Sequence, residues 1–278
     1  MPHCSFGRFK HPAAIIVKLP MIIPGEDLKA FLDQKSDQYN SVEFIETDPV
    51  SVPRNFTKKE DIEIAGFMAA AIAWGQRVTI IRNATTLMQW MDNAPYDFIL
   101  HFNDSDLQPF RKFIHRTFNG IDCEYFMWSL KNIYQRFGSM ENAFGEGFAK
   151  REPHVKNAII NFRQRFFELE HPGRTEKHIA NPSKKASAKR INMYLRWMVR
   201  KDNKGVDFGI WDSIRPDQLI CPLDVHVAAV ARKLGLLERK INDWQAAEDL
   251  TLKLRELNPE DPVKYDFALF GLGIFEKF

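Results

Sequence analysis

The sequence contains little of several features that identify whole classes of protein. Its three cysteines, Cys4, Cys123 and Cys221, are odd in number and far apart, which argues against a disulfide framework and favours a reducing compartment. The apolar run at residues 12–24 is broken by a lysine and a proline and falls short of the ~20 residues that cross a membrane. It also lacks the small-residue cleavage site of a secretory signal. We therefore expect a cytoplasmic protein that does not associate with a membrane.

Strand-like alternation is scarce, and neither internal repeats nor low-complexity segments are found. The 278 residues, 45% hydrophobic and 27% charged, are typical of a soluble globular protein with a substantial core. Helical periodicity dominates and predicts an all-α fold after a poorly ordered extension at residues 1–25. We predict helices over residues 64–74, 78–91, 121–137, 154–169, 187–201, 225–234, 244–257 and 263–270. Predicted caps are a capping box at Thr57 and Glu60 and single caps at Asp243 and Asp261.

The most regular helical pattern follows a short Pro-Leu-Asp stretch at residues 222–224. Its apolar positions recur at helical spacing, at Val227, Val230, Ala231 and Leu234. Gly235 suits a left-handed helix end. Asp224 stands at the N-cap position, so its carboxylate is predicted to accept hydrogen bonds from backbone N–H groups. Capping alone accounts for such an acid, and a second role requires a partner elsewhere in the chain.

Positive charge is concentrated in one segment. Residues 174–204 carry ten Lys or Arg residues against Glu176 and Asp202, a local charge of +8, so the rest of a chain of net charge +3 carries −5. A basic segment on an otherwise acidic protein is typical of a phosphate-binding surface, and nucleic acid is the commonest such polymer. A solvated surface with incidental lysines is the alternative.

The predicted helix at residues 187–201 lies within that basic segment and has two distinct faces. Its core face is predicted to consist of Ile191, Tyr194, Leu195 and Met198. Its other face, predicted to point outward, carries Lys189, Met193, Arg196 and Arg200. The arginines suit phosphate oxygens, whereas the lysine amine suits either a phosphate contact or nucleophilic attack. Spacing alone does not separate these two uses.

Two stretches together carry a family resemblance. Lys189-Arg-Ile-Asn-Met-Tyr-Leu195, followed by Pro222-Leu-Asp224-Val-His-Val227, resembles the helix-hairpin-helix (HhH-GPD) DNA glycosylase superfamily. From residue 40 onwards, the chain is also similar to an uncharacterised bacterial family distantly related to those glycosylases. The stretches that carry this closer similarity are residues 48–56, 62–77, 115–120 and 192–200.

The resemblance implies an architecture and an activity. Two helical lobes would enclose a central cleft, one built from residues 26–75 with 205–278 and the other from residues 76–204. Lys189 would attack C1′ of a damaged nucleotide and form an imine, while Asp224 would assist. The protein would then be a DNA repair enzyme, a base-excision glycosylase with abasic-site (AP) lyase activity. Its partner would be damaged double-stranded DNA, with an oxidised purine as a candidate base flipped out of the stack.

The hairpin before the lysine departs from the superfamily pattern. The superfamily usually has Leu-Pro-Gly-x-Gly, whereas residues 181–188 contain no glycine, so side chains are expected to replace backbone amides as phosphate contacts. The predicted nucleic-acid-binding residues are Ser183, Lys184, Lys185, Ser187, Arg190, Arg196, Arg200, Gln76 and Arg77. Weaker candidates are Trp197 and Trp211 for base stacking, His226, and the pair His115 and Arg116, whereas Trp74 is expected in the core. No residues have the spacing of a zinc or iron–sulfur site, so we expect neither metal nor cofactor.

Three hypotheses follow from the sequence. The first is the glycosylase and lyase, acting as a monomer that is nucleoid-associated when bound to DNA. The second is a non-catalytic nucleic-acid-binding protein that retains the glycosylase-like fold. The third is a helical protein whose basic face binds another protein or an anionic metabolite. The distance between the Lys189 amine and the Asp224 carboxylate is the observation that best separates them.

Overall fold

The computed structural model describes residues 25–149 and 151–278, and helices dominate this part of the chain. Its α-helices are α1 (Gly25–Tyr39), α2 (Val42–Glu46), α3 (Lys59–Ala71), α4 (Arg77–Trp90), α5 (Pro95–His101), α6 (Gly120–Phe137), α7 (Met140–Gly145), α8 (Lys156–Phe166), α9 (Lys189–Val199), α10 (Val225–Lys233), α11 (Trp244–Leu257) and α12 (Tyr265–Ile274). Short 3₁₀ turns are formed by Pro49–Ser51, Pro53–Asn55, Asp104–Leu107, Phe110–Lys112, Gly173–His178, Pro182–Lys184, Pro216–Gln218 and Pro262–Lys264. Strands β1 (Ile114–His115) and β2 (Phe118–Asn119) form a short antiparallel pair. The predicted all-α class is confirmed.

Helix α3 lies at the centre of the core. Every residue from Ile62 to Ala71 is buried, because α9 packs along one side of it and aromatic rings cover another. Around Phe67 the rings are those of Phe126, Phe162, Phe166 and Tyr194. Rings of this size bury large apolar areas and dominate the energetics of a core. The surroundings of α3 therefore fix the position of α9, which carries Lys189.

A buried acid, Glu63, ties α3 to its neighbours. Its carboxylate accepts hydrogen bonds from Tyr134 Oη at 2.9 Å and from Trp211 Nε1 at 2.7 Å. The backbone N–H of Met140, the first residue of α7, donates to the same group at 2.9 Å. Burial raises the pKa of Glu63, and these donors act in the opposite direction. These donors replace the hydrogen bonds to water that the carboxylate loses on burial, so the acid is tolerated in the core.

Helix α12 joins the N-terminal and C-terminal parts of the chain. It packs against α1 on one side and against α10 on another. A Cβ atom at Gly271 would lie 2.1 Å from the Tyr39 ring, so only glycine allows α1 to approach this closely. This packing places the polar and aromatic side chains of α12 beside the start of α10, where Asp224 lies.

Of the helix caps predicted at residues 57–60, at Asp243 and at Asp261, the one at Asp243 is present and the others are not. Asp243 caps α11 as predicted, since its carboxylate accepts from a backbone N–H of the first turn at 3.0 Å. The capping box at Thr57 and Glu60 is wrong, because α3 begins after Lys58 and has no side-chain cap. Asp261 precedes the turn Pro262–Lys264 but does not cap it. Helices α1, α2, α5 and α7 were not predicted, because short or weakly periodic segments carry little helical signal.

Other predictions concern larger parts of the chain. The extension at residues 1–25 lies, apart from Gly25, outside the described residues. The domain boundaries at residues 75–76 and 204–205 stay a prediction. In the part of the chain that the structure describes, none of the helices has the combined length and apolarity required to span a bilayer.

Candidate functional site

Asp224 occupies the predicted N-cap of α10. Its Oδ1 accepts hydrogen bonds from the backbone N–H groups of His226 at 2.8 Å and Val227 at 2.9 Å. The predicted apolar face of α10 is buried, and Gly235 has the left-handed conformation expected, with φ +72°. One carboxylate oxygen is therefore held by the helix, and Oδ2 is left to face another group.

That other group is the amine of Lys189. Lys189 is the first residue of α9, and its Nζ lies 3.9 Å from Asp224 Oδ2. The lysine side chain is 27% exposed and the aspartate side chain 20% exposed, so solvent reaches both groups. The predicted convergence of this amine and this acid, 35 positions apart in the sequence, is confirmed.

The pair borders a cavity of about 460 Å³. This volume lies within the roughly 300–1,000 Å³ range of small-molecule sites. The first residues of α4, α9 and α10 all line the cavity: Arg77, Lys189 and Val225. Helix N-termini carry partial positive charge, so three of them together favour anionic or electron-rich groups. Apolar walls are supplied by Phe44, Ile80, Met193 and Phe270.

Two deeply buried acids, Asp48 and Asp266, also line the cavity. Burial raises the pKa of Asp266 to about 6, although its partner Arg196 acts in the opposite direction. Burial also raises the pKa of Asp48, while the charges of Arg196, Arg77 and Lys189 act to lower it. The cavity thus has an amine and an acid at its rim and two further acids among its buried walls. No sequence argument identified Asp48 or Asp266.

Trp74 and Arg190 form another wall. The Arg190 guanidinium lies 4.5 Å from the centroid of the Trp74 ring and donates a hydrogen bond to the carbonyl of Ala71. Burial lowers the pKa of Arg190 to about 10. Trp74 also stacks on His178, with ring centroids 5.9 Å apart. Trp74, expected in the core, is partly buried and lines the cavity, and Arg190 fixes it there.

The hairpin before Lys189 presents its polar side chains to solvent. Ser183, Lys184 and Lys185 are exposed and Ser187 is half-buried. Lys185 has a φ of +64° and Ala188 a φ of +52°, left-handed conformations that glycine adopts most easily. The Lys185 carbonyl accepts from Trp244 N at 3.0 Å, which holds the hairpin against the start of α11. The chain therefore makes a tight turn here without glycine.

Arg196 and Arg200 do not face outward, and that prediction is wrong. Each is only 4% exposed. Arg196 pairs with Asp207 at 3.2 Å and with Asp266. Arg200 pairs with Asp207 at 3.1 Å and with Asp261 at 2.9 Å. The loop after α9 folds back over this face and supplies Asp207, so carboxylates of the protein itself surround both guanidinium groups.

Gln76 and Arg77, predicted to contact nucleic acid, differ in their surroundings. Gln76 is exposed directly before α4. Arg77 is half-buried, with its guanidinium 4.9 Å from the centroid of the Phe270 ring. Its Nη2 is buried and has no hydrogen-bond partner among the described residues. Arg77 therefore presents an unused donor at the wall of the cavity.

The weaker candidate residues from the sequence differ in whether they are buried or exposed. Trp197 and Trp211 are fully buried, so the prediction that either stacks on an extruded base is wrong. His115 is buried, and its Nδ1 lies 2.9 Å from Asn83 Nδ2. Arg116 is exposed. His226 is exposed and lines the cavity next to Asp224. No group of three or more His, Cys, Asp or Glu residues among those described is arranged to hold a metal ion.

The model of a family described as "Protein of unknown function (DUF2400)" matches residues 48–275. The matched range contains every residue that lines the cavity except Phe44. No curated protein and no solved structure matches the chain.

Proposed function

We propose that this chain, which belongs to the DUF2400 family of proteins of unknown function, is a DNA repair enzyme that removes a damaged base and cleaves the abasic sugar. The observation that carries the proposal is the pair formed by Lys189 and Asp224, 3.9 Å apart at the rim of the 460 Å³ cavity. An amine beside an acid at the mouth of a base-sized cavity is an arrangement that suits covalent attack on a sugar.

The chemistry begins with attack of the Lys189 amine on C1′ of the damaged nucleotide. A bond forms between Nζ and C1′, the glycosidic bond breaks, and the base leaves with its electron pair and a proton from the site or from water. The sugar ring opens to an imine on Lys189. Loss of a proton from C2′ then expels the 3′-phosphate, which cleaves the strand. Water finally releases the sugar and restores the lysine.

Asp224 supports this attack through its geometry. Its Oδ1 is held by two backbone N–H groups, and Oδ2 lies toward the amine. We expect Oδ2 to take a proton from the attacking amine and to offset positive charge that develops on the sugar. Because the helix backbone orients the carboxylate, the negative charge is in position before substrate binds.

The surface next to the pair suits a phosphate backbone. Exposed Lys184 and Lys185 lie a few residues before Lys189, and exposed Gln76 directly precedes Arg77, which lines the cavity. Phosphate contacts of this kind position a duplex without reading its sequence. We propose that damaged DNA crosses this surface between two glycosylase-like helical lobes, with the target base turned into the cavity. Arg196 and Arg200 are left out of this surface because both are buried.

The test is covalent trapping. Wild-type protein incubated with a duplex containing one abasic site, in the presence of borohydride, should give a protein–DNA adduct, because borohydride reduces the imine to a stable amine. The variant Lys189→Ala should give none. Lys253→Ala is the matched control, since Lys253 is an exposed lysine of α11 paired with Glu256 and should trap at the wild-type rate.

The other outcomes favour the competing hypotheses. Salt-dependent DNA binding without an adduct on abasic or damaged duplexes would favour a non-catalytic nucleic-acid-binding protein. Indifference to DNA at low salt would favour a protein or metabolite partner. An adduct of equal yield in Lys189→Ala and wild type would show that another amine is the nucleophile.

A further inference from the structure

Asp48 is a buried acid with one unused oxygen. It stands directly before the turn Pro49–Ser51, and its Oδ1 accepts a hydrogen bond from Val50 N at 3.1 Å. No donor among the described residues contacts its Oδ2. The residue is 6% exposed and lines the cavity that Lys189 and Asp224 border. The residue is thus largely buried, while this oxygen is left at the cavity wall without a donor from the described residues.

Burial raises the pKa of Asp48, and the positive charges nearby offset only part of that effect. The charges of Arg196, Arg77 and Lys189 act to lower the pKa of Asp48, against the effect of burial. None of the three forms a hydrogen bond or an ion pair with it within the described residues. A ligand that brings N–H donors to Oδ2 would supply what the protein leaves out.

The rest of the cavity suits a flat heterocycle. Phe44, Trp74 and Phe270 line it, and aromatic faces stack on bases of any sequence. The 460 Å³ volume accommodates a purine. The cavity therefore combines stacking surfaces with one acceptor that needs a donor, and the donor pattern of the base decides which purine fits.

An ionised carboxylate accepts hydrogen bonds and donates none. The bases therefore differ in how well they fit Asp48, according to the donors on their pairing edges. Guanine presents two adjacent donors, N1–H and the 2-amino group, that match two oxygens of one carboxylate. Adenine and cytosine present one amino donor beside a ring nitrogen acceptor, which would face the second oxygen and repel it. Thymine presents one N–H between two carbonyl oxygens. Guanine-type edges are thus the best match.

We propose that Asp48 binds the pairing edge of a guanine-derived base and so sets the substrate class of the site. This inference rests on the proposed function, since it assumes that a base enters the cavity. Oδ2 and the remaining lone pair of Oδ1 accept from N1–H and the 2-amino group, while the sugar of the same nucleotide lies against Lys189. Bases without the 2-amino group leave part of the carboxylate without a donor.

The test compares excision of matched bases by one enzyme preparation. Duplexes carry 8-oxoguanine, 8-oxohypoxanthine (the same base without the 2-amino group) or 8-oxoadenine. We expect wild type to release 8-oxoguanine at least about 10-fold faster than either of the others. In Asp48→Asn the ratio should fall toward unity. Asn retains an acceptor for Val50 N–H, and a ratio of rates does not depend on the folded fraction.

A matched control and the contrary outcomes complete the design. Asp104→Asn makes the same change at an exposed acid paired with Arg111, and it should keep the wild-type ratio. A wild-type ratio near unity, a preference for 8-oxoadenine, or an unchanged ratio in Asp48→Asn would overturn the inference. Failure to release any of these bases would also overturn it. In each case, trapping of an abasic duplex by wild type would leave the proposed function standing, whereas loss of both excision and trapping would overturn both proposals.

Discussion

Replacing Asp224 by Asn or by Ala separates its two roles. In Asp224→Asn the side chain keeps an oxygen for the two backbone N–H groups of α10 but loses its charge. In Asp224→Ala both the cap and the charge are lost. The first change therefore tests the partnership with Lys189, and the second adds the contribution of the cap.

The expected stability changes follow from the contacts. An N-cap aspartate replaced by alanine costs about 1 kcal/mol, whereas asparagine caps about as well as aspartate. The pair with Lys189 contributes at most ~1 kcal/mol, because both side chains are partly exposed. For a chain of this size a loss of 1 kcal/mol lowers Tm by about 2–4 °C. Asp224→Ala should therefore melt a few degrees below Asp224→Asn, which should itself remain close to wild type.

The expected loss of activity has a different pattern. Both variants lack the carboxylate that faces the amine, so the rate of borohydride trapping should fall by a similar factor, on the order of 10²-fold or more. Ser139→Ala is the control for a lost cap alone, because Ser139 Oγ accepts from Asn142 N at 3.0 Å at the start of α7. It should lose about 1 kcal/mol and trap at the wild-type rate.

Two results would refute this reasoning. Equal destabilisation by Asn and Ala would show that Asp224 stabilises the fold through its charge and not through the cap. Wild-type trapping rates in Asp224→Asn would show that the short distance to Lys189 has no catalytic meaning. Differential scanning calorimetry and single-turnover trapping together distinguish these results.

Three further predictions concern the buried and exposed charges. Arg196→Ala should lower the free energy of unfolding by about 3–5 kcal/mol in urea titrations, because Asp207 and Asp266 would be left buried without this partner; a loss below 1 kcal/mol would contradict this. Lys184→Ala, at an exposed position, should change stability by less than ~0.5 kcal/mol but reduce the salt slope of DNA binding by about 1, and an unchanged slope would exclude a phosphate contact. Burial lowers the pKa of His178 from its usual 6.5 to about 4, so as the pH falls the unfolded chain is protonated first. The contribution of His178 to the free energy of unfolding is therefore fully present above pH 6.5 and should fall by about 3 kcal/mol as the pH approaches 4. The raised pKa of Asp266 acts in the opposite direction over this range, so the measured quantity is the difference in the free energy of unfolding between wild type and His178→Gln at each pH.

The sequence predicted best what depends on local periodicity and capping. The apolar face of α10, the cap at Asp243 and the core face of α9 all follow from spacing along one helix. Lys189 and Asp224 were paired through resemblance to a known superfamily, and the structure brings them together. The helix faces and the cap need no knowledge of which segments pack against one another, whereas the pair required the resemblance.

What the sequence did not predict depends on distant segments. Helical spacing gave the direction of Arg196 and Arg200 on α9, but it could not show that the following loop returns to cover them with Asp207. Asp266 had a usable signal, because it is a lone acid in the apolar stretch of α12, and such an acid is usually buried with a partner. Asp48 had none, since an aspartate before a proline is common at turns.

The backbone of α10 fixes the orientation of Asp224 before any ligand binds. Two amides grip one oxygen of this carboxylate, so rotation about its side-chain bonds is already frozen in the folded protein. A ligand that binds at the rim therefore contacts a carboxylate whose orientation is already fixed by the fold. Binding does not have to offset the conformational entropy of ordering this side chain.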